Sequence, residues 1–131
     1  MLDNIITLPV DVLNNGSTVN KAYVRSEEYL NRTVYEGPAH SLVAKDTLSV
    51  YRTPVKKSGT DLGTAKSAMK FTEDLTVLNA VGENVSKPAI LNVEASFPVG
   101  ITAAKALELR QRAIAGLDHA FAATLMEKLQ V

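Results

Sequence analysis

The chain is 131 residues long, enough for one domain with a modest core, and it has no Cys, so a disulfide framework, a thiolate metal site and a Cys nucleophile are excluded. Its hydrophobic content is 46%, with no Trp, 3 Phe and 4 Tyr, which predicts a core of Val, Leu, Ile and Ala. With 14 Lys plus Arg against 14 Asp plus Glu the net charge is zero, so any affinity for nucleic acid has to come from local charge and not from the sum.

In chain order, residues 4–10 and 17–25 read as two short strands around Asn14-Asn15-Gly16, a turn signal that tolerates positive φ, and so predict a hairpin. The opening MLDNIITLPVDV has acidic residues flanking a short apolar run. No segment approaches the roughly 18 apolar residues of a membrane span, and the expectation is a soluble, unprocessed product of cytosolic type. A strand over 31–36 closes at Gly37-Pro38. Residues 46–55 then alternate, with Leu48 and Val50 on one face and Lys45, Thr47, Ser49 and Tyr51 on the other. After a turn over 56–63, residues 66–72 alternate again, Met69 and Phe71 opposing Lys66, Ala68, Lys70 and Thr72. Six basic residues (Lys45, Arg52, Lys56, Lys57, Lys66, Lys70) face two acidic ones (Asp46, Asp61) across this stretch, so the middle of the chain is locally basic.

Residues 74–87, with Asn79, Gly82, Glu83, Asn84 and Ser86 among short aliphatics, read as a long hairpin loop. Residues 90–97 follow as a strand with Leu91, Val93, Ala95 and Phe97 on one face and Ile90, Asn92, Glu94 and Ser96 on the other, ended by Pro98. Thr102 is placed to cap a helix running through Ala115, on which Ala103, Ala106, Leu107, Ala113 and Ile114 recur near helical spacing. Gly116 is the expected break, and Asp118 the cap of a second helix with Phe121, Leu125 and Leu129 in line. The plan is α+β in a single domain over 1–131: a hairpin (1–25), a sheet (26–99) and helices (100–131).

Helices on the apolar face leave a second face bearing Lys45, Thr47, Ser49, Tyr51, Lys66, Lys70, Thr72, Asn92 and Glu94. Two readings are open. One is a solvated face, common in antiparallel sheets. The other is a nucleic-acid platform, in which cations meet phosphate, hydroxyls and amides meet base edges, and a tyrosine offers stacking. Catalysis finds little support. His40 and His119 lie near a Gly-Pro turn and a helix start, and HExxH, GxSxG and glycine-rich phosphate loops are missing. Glu27-Glu28 and Glu73-Asp74 read as surface carboxylates, because adjacent strand residues point to opposite faces, and Lys56-Lys57 reads as a soluble turn.

Taken together, the element order and the stretches "DTLSVYRT", "KSAMKFT" and "ILNVEASFP" resemble the coat proteins of the small single-stranded RNA bacteriophages (leviviruses). The resemblance covers nearly the whole chain in layout, and its most specific part is the last strand, where an Asn, a Glu two residues later and a Pro four beyond fit Asn92, Glu94 and Pro98. It implies a non-enzymatic viral capsid protein, without cofactor, metal, membrane or small-molecule substrate. Each helix pair would cross the partner's sheet in an interlocked homodimer, with Leu91, Val93, Phe97, Leu107, Ile114 and Leu117 at the interface. Dimers would assemble in the bacterial host cytoplasm into an icosahedral virion shell, T=3, around single-stranded genomic RNA.

The same resemblance puts the polar face toward the capsid lumen, where characterised members also bind an operator hairpin that represses translation. Thr47 and Ser49 match its hydroxyl positions, Asn92 its RNA-contacting amide, and Lys66 and Lys70 its basic strand. Ile90 stands where some members carry a stacking aromatic, and Tyr51 where they carry a cation. Glu94 is expected to pair with Lys70 or a neighbouring subunit, or to shape which RNA is tolerated. The 74–87 loop would gather at the five-fold and quasi-six-fold axes. Two other readings are a non-viral dimeric RNA-binding regulator using the same face, and a small enzyme with polar residues converging between sheet and helices.

Overall fold

The computed structural model describes residues 3–128. Six strands, β1 (Ile5–Val10), β2 (Val19–Tyr29), β3 (Arg32–Glu36), β4 (Asp46–Thr53), β5 (Thr64–Leu78) and β6 (Asn84–Pro98), form one antiparallel sheet in sequence order. Helices α1 (Ala103–Asp118) and α2 (Ala120–Ala123) follow, and a single π-helical turn covers Thr124–Lys128. The α+β plan of strands first and helices after is therefore the observed one. Leu129 lies outside the described residues.

Turn chemistry sets the registers. Asn14 and Gly16 adopt positive φ between β1 and β2, while the Asp11 carboxylate accepts from Asn15 N and Gly16 N at 2.9 and 2.7 Å. Strand β2 runs on to Tyr29, past the expected end at 25, because a bulge between Arg25 and Glu27 shifts the register and lets pairing with β3 resume at Glu27↔Val34.

The expected long loop over 74–87 is not what forms. Strands β5 and β6 stay paired from Thr64↔Pro98 to Leu78↔Asn84, leaving only residues 79–83 between them. Asn79 Oδ1 accepts from Val81 N and Glu83 N at 3.0 and 2.9 Å, and Gly82 takes φ +82°, which closes the turn. The helix break also falls elsewhere. Thr102 caps α1 as expected, accepting from Lys105 N at 3.2 Å, but the helix continues through Gly116 to Asp118. The chain leaves helical geometry at His119, whose extended backbone and ring nitrogen cap α2 through Phe121 N, so His119 takes the role expected of Asp118.

The packed core sits toward the N-terminal strands. Tyr35 is fully buried with Tyr23 and Leu48, and Ile6, Leu8, Val50 and Phe71 pack against them. Tyr23 meets Phe71 edge-on at 6.1 Å, and the Tyr35 hydroxyl donates to Asp3 O at 2.8 Å, satisfying the one polar atom that this burial would otherwise strand. Burial raises both phenols above their ordinary range, with Asp46 and then Glu73 adding to the effect at Tyr23, and Arg25 opposing it at Tyr35.

Candidate nucleic-acid interface

Alternation along β3 to β6 and the observed registers assemble the polar face in cross-strand rows. Glu36, Thr47, Thr72 and Ile90 form one; Val34, Ser49, Lys70 and Asn92 the next; Arg32, Tyr51, Ala68 and Glu94 a third; and Thr53, Lys66 and Ser96 a fourth. Seven of the eight residues singled out from sequence thus share one face, and Lys45 precedes β4 at its edge, bonded backbone to side chain with Asp74 (Lys45 N to Asp74 Oδ2, 3.0 Å).

Within the face, polar groups are linked. The Tyr51 hydroxyl donates to Asn92 Oδ1 at 3.3 Å, and Asn92 Nδ2 donates to Glu94 Oε1 at 2.9 Å. The expected Glu94–Lys70 pair does not form. Register explains this, since Lys70 is opposite Asn92 and Glu94 is opposite Ala68, which leaves the carboxylate diagonal to the ammonium and nearer its own strand's amide. Among the described residues, Lys66 and Lys70 make no ion pair with a carboxylate. Ala68 lies buried between Tyr51 and Glu94, and over it opens a dimple of about 270 Å³ walled by Tyr51, Thr53, Lys66, Glu94 and Ser96.

Two members of this surface escape a reading by composition. Arg32 stands 4.7 Å over the ring of Tyr29, whose hydroxyl donates to Glu27 Oε2, and that bond and charge raise the Tyr29 phenol against the opposing Arg32. The Arg32↔Tyr51 register, which only the folded sheet defines, places a cation beside Tyr51. Both histidines are engaged in backbone roles: His40 Nδ1 accepts from Asp46 N at 3.3 Å, and His119 caps α2. Among the described residues, no group of three or more His, Asp or Glu is arranged to hold a metal ion, and no helix is long and apolar enough to cross a membrane.

No protein-family model and no curated protein sequence matches the chain. Solved structures match it by fold. The virus-like particle of bacteriophage AVE019 has a TM-score of 0.73 at 19% identity, over 94% of this chain and 92% of that one. The virus-like particle of Wenzhou levi-like virus 4 has a TM-score of 0.67 at 21% identity, over 92% and 77%. The coat protein of bacteriophage EMS014 has a TM-score of 0.62 at 16% identity, over 89% and 74%. The chain has the fold of the levi-like bacteriophage coat proteins.

In this coat-protein fold the face opposite the polar rows is incompletely covered. Leu91 is exposed, and Val93 and Phe97 are half-buried. Helix α1 buries none of its residues: Leu107, Ile114 and Leu117 are 50%, 52% and 48% exposed. A cleft of about 740 Å³ separates it from the sheet, bringing Leu107 opposite Met69, Val93 and Phe97, with Leu109 as a lining residue that the spacing argument passed over. A second cleft of about 500 Å³ brings Leu91 and Phe71 near Leu125 and Met126. Ile114 and Leu117 line neither. The main cleft is lined by Val50, Met69, Val93, Phe97, Leu107 and Leu109 together with the polar Ser67, Glu94, Ser96 and Arg110.

Proposed function

We propose that this chain is a viral capsid subunit that forms an interlocked homodimer, assembles into an icosahedral shell and packages single-stranded RNA against its polar sheet face. The observation that carries the reading is the fold shared with subunits of phage virus-like particles over more than nine-tenths of the chain. The half-exposed apolar stripe of α1 supports dimerisation. Each large aliphatic side chain covered by a partner contributes roughly 1.5–3 kcal/mol, and a stripe of this kind is unfavourable in a lone chain.

On this reading Lys45, Lys66 and Lys70 neutralise phosphate, Thr47, Ser49, Tyr51, Asn92 and Glu94 meet bases, and Leu91, Val93, Phe97, Leu107, Ile114 and Leu117 lie between subunits. The turn over 79–83 sits at the symmetry axes of a T=3 shell, where the positive φ of Gly82 permits more than one backbone path. The virion is the site of action, with assembly in the host cytoplasm. Binding of an operator hairpin uses the same face.

Electron microscopy and size-exclusion chromatography of the protein expressed alone, with a nuclease-protection assay, test the proposal. Uniform shells holding protected RNA are expected. A dimer that forms no particles across salt and added RNA would transfer the assignment to a dimeric RNA-binding regulator, and a stable monomer would sink both.

A further inference from the structure

We infer that the dimple over Ala68 is a guanine-selecting subsite for single-stranded RNA, in which the Glu94 carboxylate reads the base. The inference rests on the RNA-binding reading of the polar face and goes beyond it by assigning a base and a reader.

Two cross-strand rows build the dimple. Tyr51, Ala68 and Glu94 form one, and Thr53, Lys66 and Ser96 the other. Ala68 supplies only a methyl group as floor, so taller neighbours stand around an opening that a larger residue would fill. Its volume, about 270 Å³, falls just below the range of roughly 300–1,000 Å³ for small-molecule pockets, which suits one base and not a nucleotide with its phosphate.

The tyrosine ring is an aromatic wall on which a base can stack, and its hydroxyl is tied to Asn92. Glu94, an exposed residue lining the dimple, is held by the same amide through Oε1, leaving Oε2 without a hydrogen-bond partner among the described residues. An ionised carboxylate only accepts hydrogen bonds and repels phosphate, so its partner on RNA has to be a donor group on a base.

The four bases differ sharply as partners for a carboxylate. Guanine presents two adjacent donors, N1–H and the N2 amino group, which match two carboxylate oxygens. Adenine and cytosine each set one amino donor beside a ring-nitrogen acceptor, and uracil sets one N–H between two carbonyls, so each brings an acceptor against the charge. The second row completes the match, because the Lys66 ammonium and the Thr53 and Ser96 hydroxyls can donate to guanine O6 and N7. The same carboxylate explains how a negative charge can sit on a face that binds RNA.

The test uses the full chain dissociated to RNA-free subunits, so that no shell encloses the polar face, and oligouridines of about ten nucleotides, compared by fluorescence anisotropy at one low salt concentration with central G, A, C or inosine. Central G is expected to bind about tenfold more tightly than A, C or U, as one good bidentate pair gives. Inosine, which lacks the N2 amino group, is expected to lose most of that preference. Glu94→Gln should abolish it, read as the ratio of G to U affinity within the variant. If wild-type protein binds all oligonucleotides equally, with ordinary salt dependence, the guanine subsite is wrong and the RNA face stands. If it binds none, both readings fall. The inosine arm needs no altered protein, so a misfolded variant could not obscure the result.

Discussion

Gly37 and the Asp46 carboxylate occupy adjoining space at the head of the β3–β4 turn, where a Cβ on Gly37 would stand 2.5 Å from Asp46 Oδ2. Asp46 cannot swing aside freely, because it is buried and accepts from Ala39 N at 2.9 Å. Gly37→Ala is expected to cost about 1–3 kcal/mol through overpacking. Gly116→Ala, where a Cβ meets only Phe121 Cζ at 3.8 Å within α1, should instead stabilise by about 0.5–1 kcal/mol. Urea midpoints of the two variants, moving in opposite directions at constant m, check both.

Ile114 tests the proposed dimer. A side chain 52% exposed in the single chain should tolerate truncation to Ala within about 0.5 kcal/mol, whereas one buried by a partner should cost about 2–4 kcal/mol. The larger value is expected, together with a melting temperature that rises with protein concentration in the wild type. A loss below about 0.5 kcal/mol would remove Ile114 from the interface.

Lys66 and Lys70 lie on the polar face without an ion pair to a carboxylate among the described residues, and the proposed RNA reading makes them phosphate contacts. Each replaced by Ala should lower the slope of log affinity against log salt by about 0.7, with particle assembly preserved. Asn92→Ala should weaken RNA binding at every salt concentration. Unchanged affinity and slope in all three variants would count against this face as the RNA surface.

Alkaline pH should unfold the protein through its core tyrosines. The Tyr23 and Tyr35 phenols are raised above their ordinary value near 10 because burial disfavours the phenolate. Their contribution is therefore fully present below about pH 10 and is lost as pH rises from there through the raised folded-state values. Tyr35→Phe should start about 0.5–1.5 kcal/mol less stable, having lost the bond to Asp3 O, yet decline less steeply with pH. Urea titrations at pH 8 to 11 measure both the offset and the slope.

Alternation is legible where apolar and polar residues alternate strictly: Leu48, Val50, Met69, Phe71, Leu91 and Val93 share one face, and the observed pairing agrees residue for residue. The outer part of the β5–β6 hairpin was illegible for the complementary reason. Leu75, Val77 and Leu78 lie beyond the last β4 pair, Asp46↔Glu73, where β5 pairs with β6 alone and the alternation is not strict, and the polar residues there imitate a loop. Gly116 misled because glycine can remain helical when the chain needs it, and the break passed to a histidine able to cap with its ring. The tie between Tyr51 and Asn92 spans 41 positions and depends on registers that only the folded sheet defines.

The sheet order β1-β2-β3-β4-β5-β6 also orders events during synthesis. Every strand pairs with the one translated just before it, so each pairing closes a short loop, and the sheet can zip up behind the ribosome without waiting for distant sequence. The open outer edge of β6 and the uncovered stripe of α1, the two surfaces most prone to stick indiscriminately, emerge after β1 to β5 have had time to fold. On the proposed homodimer reading, nascent chains expose their adhesive parts late, which favours meeting a like partner over aggregation.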